Sequence, residues 1–539
     1  MTNKEIASSF NLFAKLLELH GENPFKTRSY SNAYLTIRRL EKSVLEMSTE
    51  ELNELRGIGK AIQDKIVAIR EHGYLPQLED IKSKTESGVL ELLQIKGLGA
   101  KKVRQLQDEL GIKTPGELLY ACEENRLVSL SGFGQKTQAK IKDAISYYLE
   151  SKGSYLYGHI ESQVFRLLDM FQELSMDHRF ETVGDFARMD PIVTELTILT
   201  TYPDFETVLE NADFETEGEQ WVFENIRFNI EYADDDQFDE FIFMSTVSEA
   251  FLEKLGPEAV VETEDMIFEN LGLAFIPREC REFPDILNWT EEQIDTIIHE
   301  DDIKGVVHAH STYSDGLQSI AQMAAASREL GYQYLVMTDH SKSAFYANGL
   351  SEERLFMQID EIQELNKQLP DFKIYSGIES DILSDGSLDY PDDVLAELDL
   401  IIASIHSNLN MDIEKSTKRL ITAIENPRTR ILGHPTGRLL LSRKAYPIDF
   451  ERVIDACAAN NVVIEVNANP YRLDLDYKWI PHALSKGVKF SINPDAHSID
   501  GIKDIRYGVC ASRKGLLTKE MTINALSAQE FEDWVKNGK

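Results

Sequence analysis

The sequence has few cysteines, no long hydrophobic run and, in its middle third, very little positive charge. Four of its 539 residues are cysteines, and Cys122, Cys280, Cys457 and Cys510 are far apart. That spacing fits neither a disulfide framework nor a CxxC metal site and is typical of free thiols in a reducing cytoplasm. The lack of any run of about 18 apolar residues excludes a membrane-spanning helix. The start, MTNKEIASSF, lacks the basic and apolar segments of a signal peptide, so we expect a cytoplasmic protein.

The charge is distributed unevenly along the chain, whose formal net charge is −36. Residues 1–150 hold 22 basic and 21 acidic side chains, residues 151–300 hold 8 and 36, and residues 301–539 hold 26 and 35. Affinity for nucleic acid comes largely from Lys and Arg side chains that neutralise phosphates. We therefore expect the first third to bind DNA and the middle third to repel it. The length and a hydrophobic content of 42% predict three or four folded domains rather than disorder.

A glycine-containing segment occurs three times in the first third. LRGIGKAIQDKI, IKGLGAKKVRQL and LSGFGQKTQAKI each place an apolar residue and Gly-x-Gly before a predicted helix with lysine near its start. Gly-x-Gly permits a tight turn that exposes backbone N–H groups at a helix N-terminus, where a phosphate binds regardless of base sequence. The predicted DNA-binding residues are Gly57, Gly59, Lys60, Gly97, Gly99, Lys101, Lys102, Gly132, Gly134 and Lys136.

These segments resemble helix-hairpin-helix DNA-binding motifs, and residues 1–150 resemble the amino-terminal region of family X DNA polymerases. The resemblance implies a helical, lyase-like DNA-binding domain over residues 1–90 and helix-hairpin-helix fingers over residues 91–150. In that family a lysine in the helix after the first hairpin can form a Schiff base with a deoxyribose-phosphate. Lys65 holds the matching position in GIGKAIQDKI. The alternative is a solvent-facing helix lysine, so we expect weak lyase activity at most.

The middle third predicts a mixed α/β domain. VTELTILTTY and IRFNIEYA alternate apolar and polar residues as strands do, and HIESQVFRLLDMF precedes them with a helical pattern. Together with IFENLGLAFIPRECRE, these segments resemble the α+β, nucleotidyltransferase-like palm of a family X polymerase. The resemblance places a palm and thumb over residues 151–295.

This palm lacks most of the polymerase carboxylates. Aligned with the family pattern, the positions of a serine, two arginines and three metal-binding aspartates hold Asp185, Ala187, Arg188, Glu195, Thr197 and Asn229. Two-metal phosphoryl transfer needs carboxylates that hold two Mg²⁺ ions about 4 Å apart, and one anionic ligand is too few. An aspartate in the phosphate cradle also repels a nucleoside triphosphate. We predict that polymerase activity and Mg²⁺ binding at the palm are lost; a misaligned but working site is the alternative.

The last third predicts an α/β barrel with candidate metal ligands at its mouth. Seven apolar strands alternate with helices: IKGVVHAHS, YQYLVMTDHS, FKIYSGIES, LDLIIASIHS, TRILGHPTG, NVVIEVNAN and VKFSINPDAHS. Barrels place their active sites at the carboxyl ends of their strands. Six of the seven strands end in a candidate ligand, and Asn467 with Asn469 ends the other. The candidates are His308, His310, Asp315, His340, Glu379, His406, His434, Asp495 and His497.

Imidazole and carboxylate ligands without thiolate suit Zn²⁺ or Mn²⁺, with Fe²⁺ as an alternative. Nine ligands exceed the need of one ion, so we expect two or three divalent ions, with Glu379 bridging two of them. Such a cluster activates a metal-bound water and neutralises a phosphate, which is the chemistry of phosphoester hydrolysis. Arg438, just after the His434 strand, is either a phosphate contact or part of a surface salt bridge.

HAHSTYSDG, TDHS, GIESDI, SIHS, GHPTGR and NPDAHS resemble the PHP (polymerase and histidinol phosphatase) domain, a distorted (β/α)7 barrel, over residues 300–539. By residue type, all nine ligand positions of that family are filled. The whole multidomain chain resembles a bacterial family X DNA polymerase with a carboxyl-terminal PHP domain. The resemblance implies a three-metal centre that hydrolyses DNA 3′ ends in repair, as a 3′–5′ exonuclease, 3′-phosphodiesterase or abasic-site endonuclease of base excision repair.

The leading interpretation is a metal-dependent DNA nuclease that holds gapped, 3′-recessed or abasic duplexes by their backbone, with the degenerate palm as a spacer. Three alternatives remain open from the sequence. They are a gap-filling polymerase with an editing nuclease, a non-catalytic DNA-binding scaffold, and a small-molecule phosphatase of the histidinol-phosphate type.

Overall fold

The computed structural model describes residues 1–123, 127, 130–150, 153–212, 214–224, 226–256, 263–441 and 444–537. They divide into two compact units, Met1–Lys152 and Gly153–Lys539. In the described part of the chain, no helix has the length and apolar character needed to cross a lipid bilayer. The domain boundaries predicted at residues 90, 150, 295 and 300 stay predictions.

The first unit is helical throughout its described residues. Helices α1 to α9 span Asn3–Leu19, Pro24–Ile37, Thr49–Glu54, Lys60–His72, Pro76–Ser83, Ser87–Leu92, Ala100–Leu110, Pro115–Glu123 and Gln135–Glu150. In the three glycine turns, Gly57, Gly97 and Gly132 have φ angles of 87°, 88° and 86°. Glycine adopts this left-handed conformation at no steric cost, which explains its repetition. The apolar residues between the paired glycines are buried: Ile58, Leu98 and Phe133.

The second unit begins with a five-stranded mixed sheet in the order β2-β4-β7-β6-β5. The elements of this region are β1 (Tyr155–Leu156), α10 (Tyr157–Leu174), β2 (Phe180–Val183), α11 (Gly184–Ala187), β3 (Ile192–Val193), β4 (Thr197–Thr200), α12 (Phe205–Asn211), β5 (Glu215–Glu217), β6 (Gln220–Phe223) and β7 (Ile226–Tyr232). The short strands β1 and β3 pair with each other in a separate two-stranded sheet. The amphipathic segment predicted as a helix lies within α10, and the two predicted strands contain β4 and β7. The α+β character of this region is therefore confirmed.

A small helical core follows the sheet. It is built by α13 (Phe238–Thr246), α14 (Glu249–Leu255), α15 (Glu264–Asn270) and α16 (Glu291–Ile294) together with two short 3₁₀ segments. The Arg281 side chain is fully buried there, and its Nη1 lies 2.6 Å from Glu264 Oε1. Arg278 Nη2 lies 2.9 Å from the other oxygen of Glu264. Because a buried charge is costly without a partner, Glu264 stabilises this core.

The remainder is an α/β barrel with seven parallel strands in sequential order. Its elements are β8 (Gly305–Ala309), α17 (Ile320–Glu329), β9 (Tyr334–Met337), α18 (Glu352–Gln368), β10 (Lys373–Asp381), α19 (Asp392–Leu395), β11 (Leu400–Ser404), α20 (Ile413–Glu425), β12 (Ile431–Leu432), α21 (Phe450–Asn460), β13 (Val463–Asn467), α22 (Ile480–Ser485), β14 (Phe490–Asn493), α23 (Ile505–Lys514) and α24 (Ala528–Lys536). Each of the seven predicted strand segments overlaps one of these strands, so the barrel prediction is confirmed.

The barrel closes at its mouth. Ala309, the last residue of β8, and Ala496, three residues after the end of β14, form a parallel bridge. The His310 amide donates to the Ala496 carbonyl at 2.9 Å, and the Ala496 amide donates to the His308 carbonyl at 3.2 Å. This closure brings the ligand-bearing residues of the first and last strands next to one another.

Candidate metal centre

The nine predicted ligands converge at the mouth of the barrel. Most lie just beyond the carboxyl end of a strand, and His308 and Glu379 lie within β8 and β10. Six side chains are almost fully buried: His308, His310, His340, Glu379, His434 and Asp495. Asp315 and His497 face the opening, with 36% and 39% of their side chains exposed. The cluster is thus enclosed on the barrel side and accessible from solvent on the other.

Eight of the nine residues form three overlapping groups in which candidate ligand atoms lie within 4.8 Å of one another. The groups are His310, Asp315, His340 and His497; His308, His310 and Asp495; and His340, Glu379 and His406. His310 and His340 each belong to two groups. Each histidine would ligate one ion, but the overlap of the groups brings candidate ion positions close together, as in two-metal centres whose ions lie about 4 Å apart.

Glu379 lies at the centre of four imidazoles. Its Oε1 lies 2.9 Å from His434 Nε2, 3.1 Å from His406 Nε2 and 3.4 Å from His308 Nε2. Its Oε2 lies 2.8 Å from His340 Nδ1. Burial alone would raise the pKa of this carboxyl, but His406, His308 and His340 together hold the pKa well below its usual value. Glu379 is therefore an anion with both oxygens facing possible ligand partners, as its predicted bridging role requires.

Several buried ring nitrogens of the cluster have no hydrogen-bond acceptor or donor among the described residues. They are His308 Nε2, His310 Nδ1 and His434 Nδ1. Buried polar atoms without a partner are costly in a folded protein. Of these atoms, His308 Nε2 faces the carboxylates, at 3.4 Å from both Glu379 Oε1 and Asp495 Oδ1, where a divalent cation would satisfy it. Imidazole with carboxylate is a donor set for Zn²⁺, Mn²⁺ or Fe²⁺. The residues present thus fit metal binding.

Glu465 orients the cluster from inside the barrel, although the sequence analysis did not single it out. It is fully buried in β13, and its Oε2 accepts from His308 Nδ1 at 2.6 Å and from Asn493 Nδ2 at 2.7 Å. Its Oε1 accepts from the His434 amide and from Asn467 Nδ2, both at 3.0 Å. The bond to Nδ1 leaves Nε2 of His308 as the nitrogen available to a metal. The alternation of NVVIEVNAN, which puts Glu465 and Asn467 on one face, was the available signal.

A second buried carboxylate, Asp339, shapes the loop that carries Asp315. Asp339 accepts from the Ser311 amide at 2.8 Å, from the Ser311 hydroxyl at 2.7 Å and from the Ser314 amide at 3.1 Å. The Ser314 hydroxyl also donates to Asp339. The serines of HSTYSDG are thus loop anchors, and they fix the position from which Asp315 reaches the opening.

Contacts between imidazoles and carboxylates shift the pKa values of His406 and Asp315. Burial would lower the pKa of His406, but Glu379 and Asp381 raise the pKa to about 10, with Asp381 Oδ1 2.5 Å from Nδ1. Burial would raise the pKa of Asp315, but its contact with His497 lowers the pKa to about 2. The Asp315 carboxyl is therefore anionic at neutral pH and is available to a cation.

Arg438 is bonded to two backbone carbonyls and to one carboxylate. Its Nε donates to the Arg472 carbonyl at 2.9 Å, Nη2 donates to the Leu473 carbonyl, and Nη1 lies 2.5 Å from Asp476 Oδ2. These bonds hold the guanidinium within the loop after β13. Arg438 thus forms a salt bridge with the partly exposed Asp476, in line with the second reading, and a phosphate contact of Arg438 stays a prediction.

The aligned polymerase positions meet in a separate pocket of the second unit. Asp185, Glu195 and Thr197 line a cavity of about 230 Å³, and Glu231 adds a carboxylate that the sequence analysis did not name. Asn229 pairs with Thr197 across β4 and β7. The alignment thus brings together residues that the fold also brings together.

The acids of this pocket are already engaged. Asp185 accepts from the Thr194 amide at 2.8 Å, and its other oxygen lies 2.8 Å from Arg188 Nη2. Glu195 Oε1 accepts from Asn229 Nδ2 at 2.6 Å. Their partners are an amide, an arginine and a carboxamide, in contrast to the imidazoles of the barrel mouth.

In the first unit, the turns predicted to bind DNA leave backbone accessible. A Cβ added at five of the predicted glycines would meet no described atom within 4 Å: Gly59, Gly97, Gly99, Gly132 and Gly134. Three of the predicted lysines are exposed: Lys60, Lys101 and Lys136. Lys102 Nζ instead lies 3.4 Å from the Gly97 carbonyl. DNA binding by these residues stays a prediction.

Lys65 is half-buried rather than solvent-facing. Its Nζ lies 5.3 Å from the centre of the Tyr30 ring and 6.0 Å from that of Phe13. The structure thus favours neither a surface lysine nor any particular chemistry, and lyase activity stays a prediction.

Comparison with known proteins agrees with this architecture. The helix-hairpin-helix domain matches residues 1–75, the SAM-like helix-hairpin-helix tandem matches residues 50–111 and 89–146, and the PHP domain matches residues 307–469. Over 99% of its length the chain is 34% identical to the DNA polymerase/3′-5′ exonuclease PolX of Bacillus subtilis, all of which is covered. The chain belongs to the PolX family. It is therefore a PolX-family enzyme with a carboxyl-terminal PHP domain, as the resemblance implied.

Other similar proteins cover a smaller share of this PolX-family chain. A probable phosphatase of Thermoanaerobacter sp. is 27% identical over 43% of this chain and 91% of its own length. The crystal structure of histidinol phosphate phosphatase from Lactococcus lactis, complexed with zinc, L-histidinol and phosphate, covers 38% of this chain and 92% of its own at 17% identity, with a TM-score of 0.30.

Proposed function

We propose that this PolX-family chain is a metal-dependent DNA phosphodiester hydrolase that shortens 3′ ends, and that its polymerase activity is lost. The observation that carries the proposal is the convergence of nine candidate ligands at one barrel mouth, eight of them in three overlapping groups. The Bacillus subtilis relative, named as a DNA polymerase/3′-5′ exonuclease, supports the choice of DNA 3′ ends over a small phosphate ester.

The three groups would hold two or three divalent ions, Mn²⁺ or Zn²⁺ with Fe²⁺ as an alternative. When bound, such ions lower the pKa of water and neutralise the charge of a phosphodiester. Glu465, Asp381 and Asn467 hold the ligand side chains in place, because each makes a hydrogen bond to one of them. Asp315 and His497 lie at the open edge of the cluster, where the DNA end would enter.

The glycine turns of the first unit support a nucleic-acid substrate. Their backbone is open, and exposed lysines lie beside it, which suits binding of phosphates without base recognition. We therefore propose gapped, 3′-recessed or abasic duplex DNA as the partner, with a role in repair. A histidinol-phosphate type phosphatase would have no use for such a unit.

Loss of polymerase activity is proposed because the two aligned acids of the palm pocket are bonded to other side chains. Asp185 is paired with Arg188, and Glu195 is bonded to Asn229. Glu231 is the one observation in favour of the alternative, a working gap-filling polymerase, because it brings a further acid to the same cavity.

One experiment separates these functions. The full chain is loaded with Mn²⁺ and incubated with 5′-labelled 3′-recessed, gapped and abasic duplexes, with and without the four deoxynucleotides. We expect shortening that is lost in His308→Ala/His310→Ala and kept in His178→Ala, a histidine outside the barrel. Lengthening with deoxynucleotides would instead support the polymerase, and no change of length would contradict the nuclease.

A further inference from the structure

Arg472 is a cation at the edge of the cluster that neither the motifs nor the ligand groups include. Its Nε lies 3.5 Å from Asp495 Oδ2, and 17% of its side chain is exposed. Its Nη1 is buried and has no hydrogen-bond acceptor among the described residues. The pKa of His434 is lowered, first by burial and second by the positive charge of Arg472. The guanidinium of Arg472 therefore acts electrostatically on His434 as well as on Asp495.

The loop that carries Arg472 is built to hold this side chain in place. Arg438 binds the carbonyls of Arg472 and Leu473 from below, through Nε and Nη2. Asn469 Oδ1 accepts from the Tyr471 amide at 3.0 Å, and the Asn469 amide is itself bonded to Asn467. The backbone on both sides of Arg472 is therefore fixed.

The polymerase-like part of the unit braces the same loop. A Cβ at Gly158 of α10 would lie 3.0 Å from Pro470, so the helix and the loop are in close contact. One residue further, the His159 ring packs edge-on against Tyr471 with ring centres 4.6 Å apart. The degenerate palm is thus more than a spacer, because its first helix supports the barrel loop that presents Arg472.

We infer that Arg472 contacts a phosphate oxygen of the substrate at the barrel mouth. An arginine held against the cluster with an unused Nη1–H supplies a charge-assisted hydrogen bond to an anion. Leaving a buried donor unmade is costly, and a tetrahedral phosphate beside Asp495 and His434 would supply the missing acceptor. The single 3.5 Å approach to Asp495 does not use the Nη1 donor. The inference rests on the proposed phosphoester hydrolysis and adds to it the residue that binds the anion.

Binding of inorganic phosphate tests the inference without reference to nuclease activity. The full chain is loaded with Mn²⁺, its metal content is measured, and phosphate is titrated calorimetrically into wild type, Arg472→Gln, Arg472→Lys and Arg452→Gln. Arg452 is a matched control because its guanidinium pairs with Glu414 on the outside of the barrel. We expect about 10- to 100-fold weaker phosphate binding in Arg472→Gln, at unchanged metal content.

The remaining variants separate anion binding from structural support. Arg472→Lys, which keeps the charge but not the planar fork, should bind phosphate with intermediate affinity, and Arg452→Gln should match wild type. On a small phosphodiester, Arg472→Gln should raise KM more than it lowers kcat. Equal phosphate affinity at equal metal content would overturn the inference. So would loss of metal from Arg472→Gln, which would make Arg472 a support for Asp495. If wild type binds phosphate through Arg472 yet leaves DNA intact, the nuclease proposal fails and this inference stands.

Discussion

The barrel mouth and the palm pocket are two acidic sites in one compact unit, and they differ in what surrounds their carboxylates. At the mouth, Glu379 and Asp495 face imidazoles, and further buried carboxylates hold those imidazoles from behind. In the pocket, Asp185 and Glu195 are bonded to Arg188 and Asn229. A carboxylate that faces imidazoles can bind a cation together with them. The charge of Asp185, by contrast, is already balanced by Arg188, which competes with a metal ion.

The largest effect should follow the loss of the central anion. Glu379→Gln removes the charge shared by four histidines, so we expect metal content to fall by at least one ion per chain and DNA shortening to fall to background. Elemental analysis and the labelled-duplex assay measure the two. Glu397→Gln, an exposed acid of the same barrel, serves as the control. Full metal content in Glu379→Gln would show that this carboxylate is not a ligand.

A smaller loss should follow a change behind the ligands. In Glu465→Gln the bond to His308 Nδ1 no longer involves a charge, and such outer partners typically change metal affinity by about 10- to 100-fold. Competition with a chelator of known affinity measures this shift. Saturating Mn²⁺ should restore most of the activity, which a misfolded protein would not show. An affinity equal to that of the exposed-surface variant Glu451→Gln would argue against the orienting role.

Within the middle of the chain, a carboxylate should matter for stability and not for chemistry. Burial would raise the pKa of Glu264, but Arg278 and Arg281 lower the pKa below its usual value of 4.5. A lowered folded-state pKa means that the stabilisation is present above about pH 4.5 and is lost as pH falls through the folded value.

Removal of that carboxylate leaves Arg281 buried without its ion-pair partner. Glu264→Gln should therefore destabilise the fold by about 3–5 kcal/mol at pH 7 and weaken the loss of stability in acid. Urea unfolding at pH 7 and at pH 4 measures both effects, with Glu269→Gln on the same helix as control. An acid dependence equal to that of wild type would contradict the assignment.

The smallest effect is expected in the palm pocket. Glu195→Gln changes the one aligned acid without an arginine partner, and we expect metal content and DNA shortening to stay within experimental error of wild type. Primer extension is measured in parallel. If wild type extends the primer and Glu195→Gln does not, the pocket is a working polymerase site. The proposed loss of polymerase activity would then be wrong.

The barrel and its ligands were predictable from the sequence because each strand is a short apolar run followed by a polar residue at a known edge. Glu465, within a strand, and Arg472, within a loop, were not. Glu465 lies two positions before the strand end, and only the alternation of its strand indicated an inward direction. The salt bridge of Arg438 and the role proposed for Arg472 depend on the conformation of the loop after β13. This loop contacts α10 through residues that are distant in sequence, which no local pattern encodes.

The closure of the barrel links the candidate metal centre to the stability of the fold. Among the described residues, β8 and β14 meet through the single bridge of Ala309 and Ala496. His308 and His310 on one side of this seam and Asp495 on the other form one of the three candidate groups. Ions bound by this group would stabilise the contact between β8 and β14. When the metal is removed, we therefore expect proteases to cut first near residues 309 and 496. Loading with metal would then govern the resilience of the barrel as well as its chemistry.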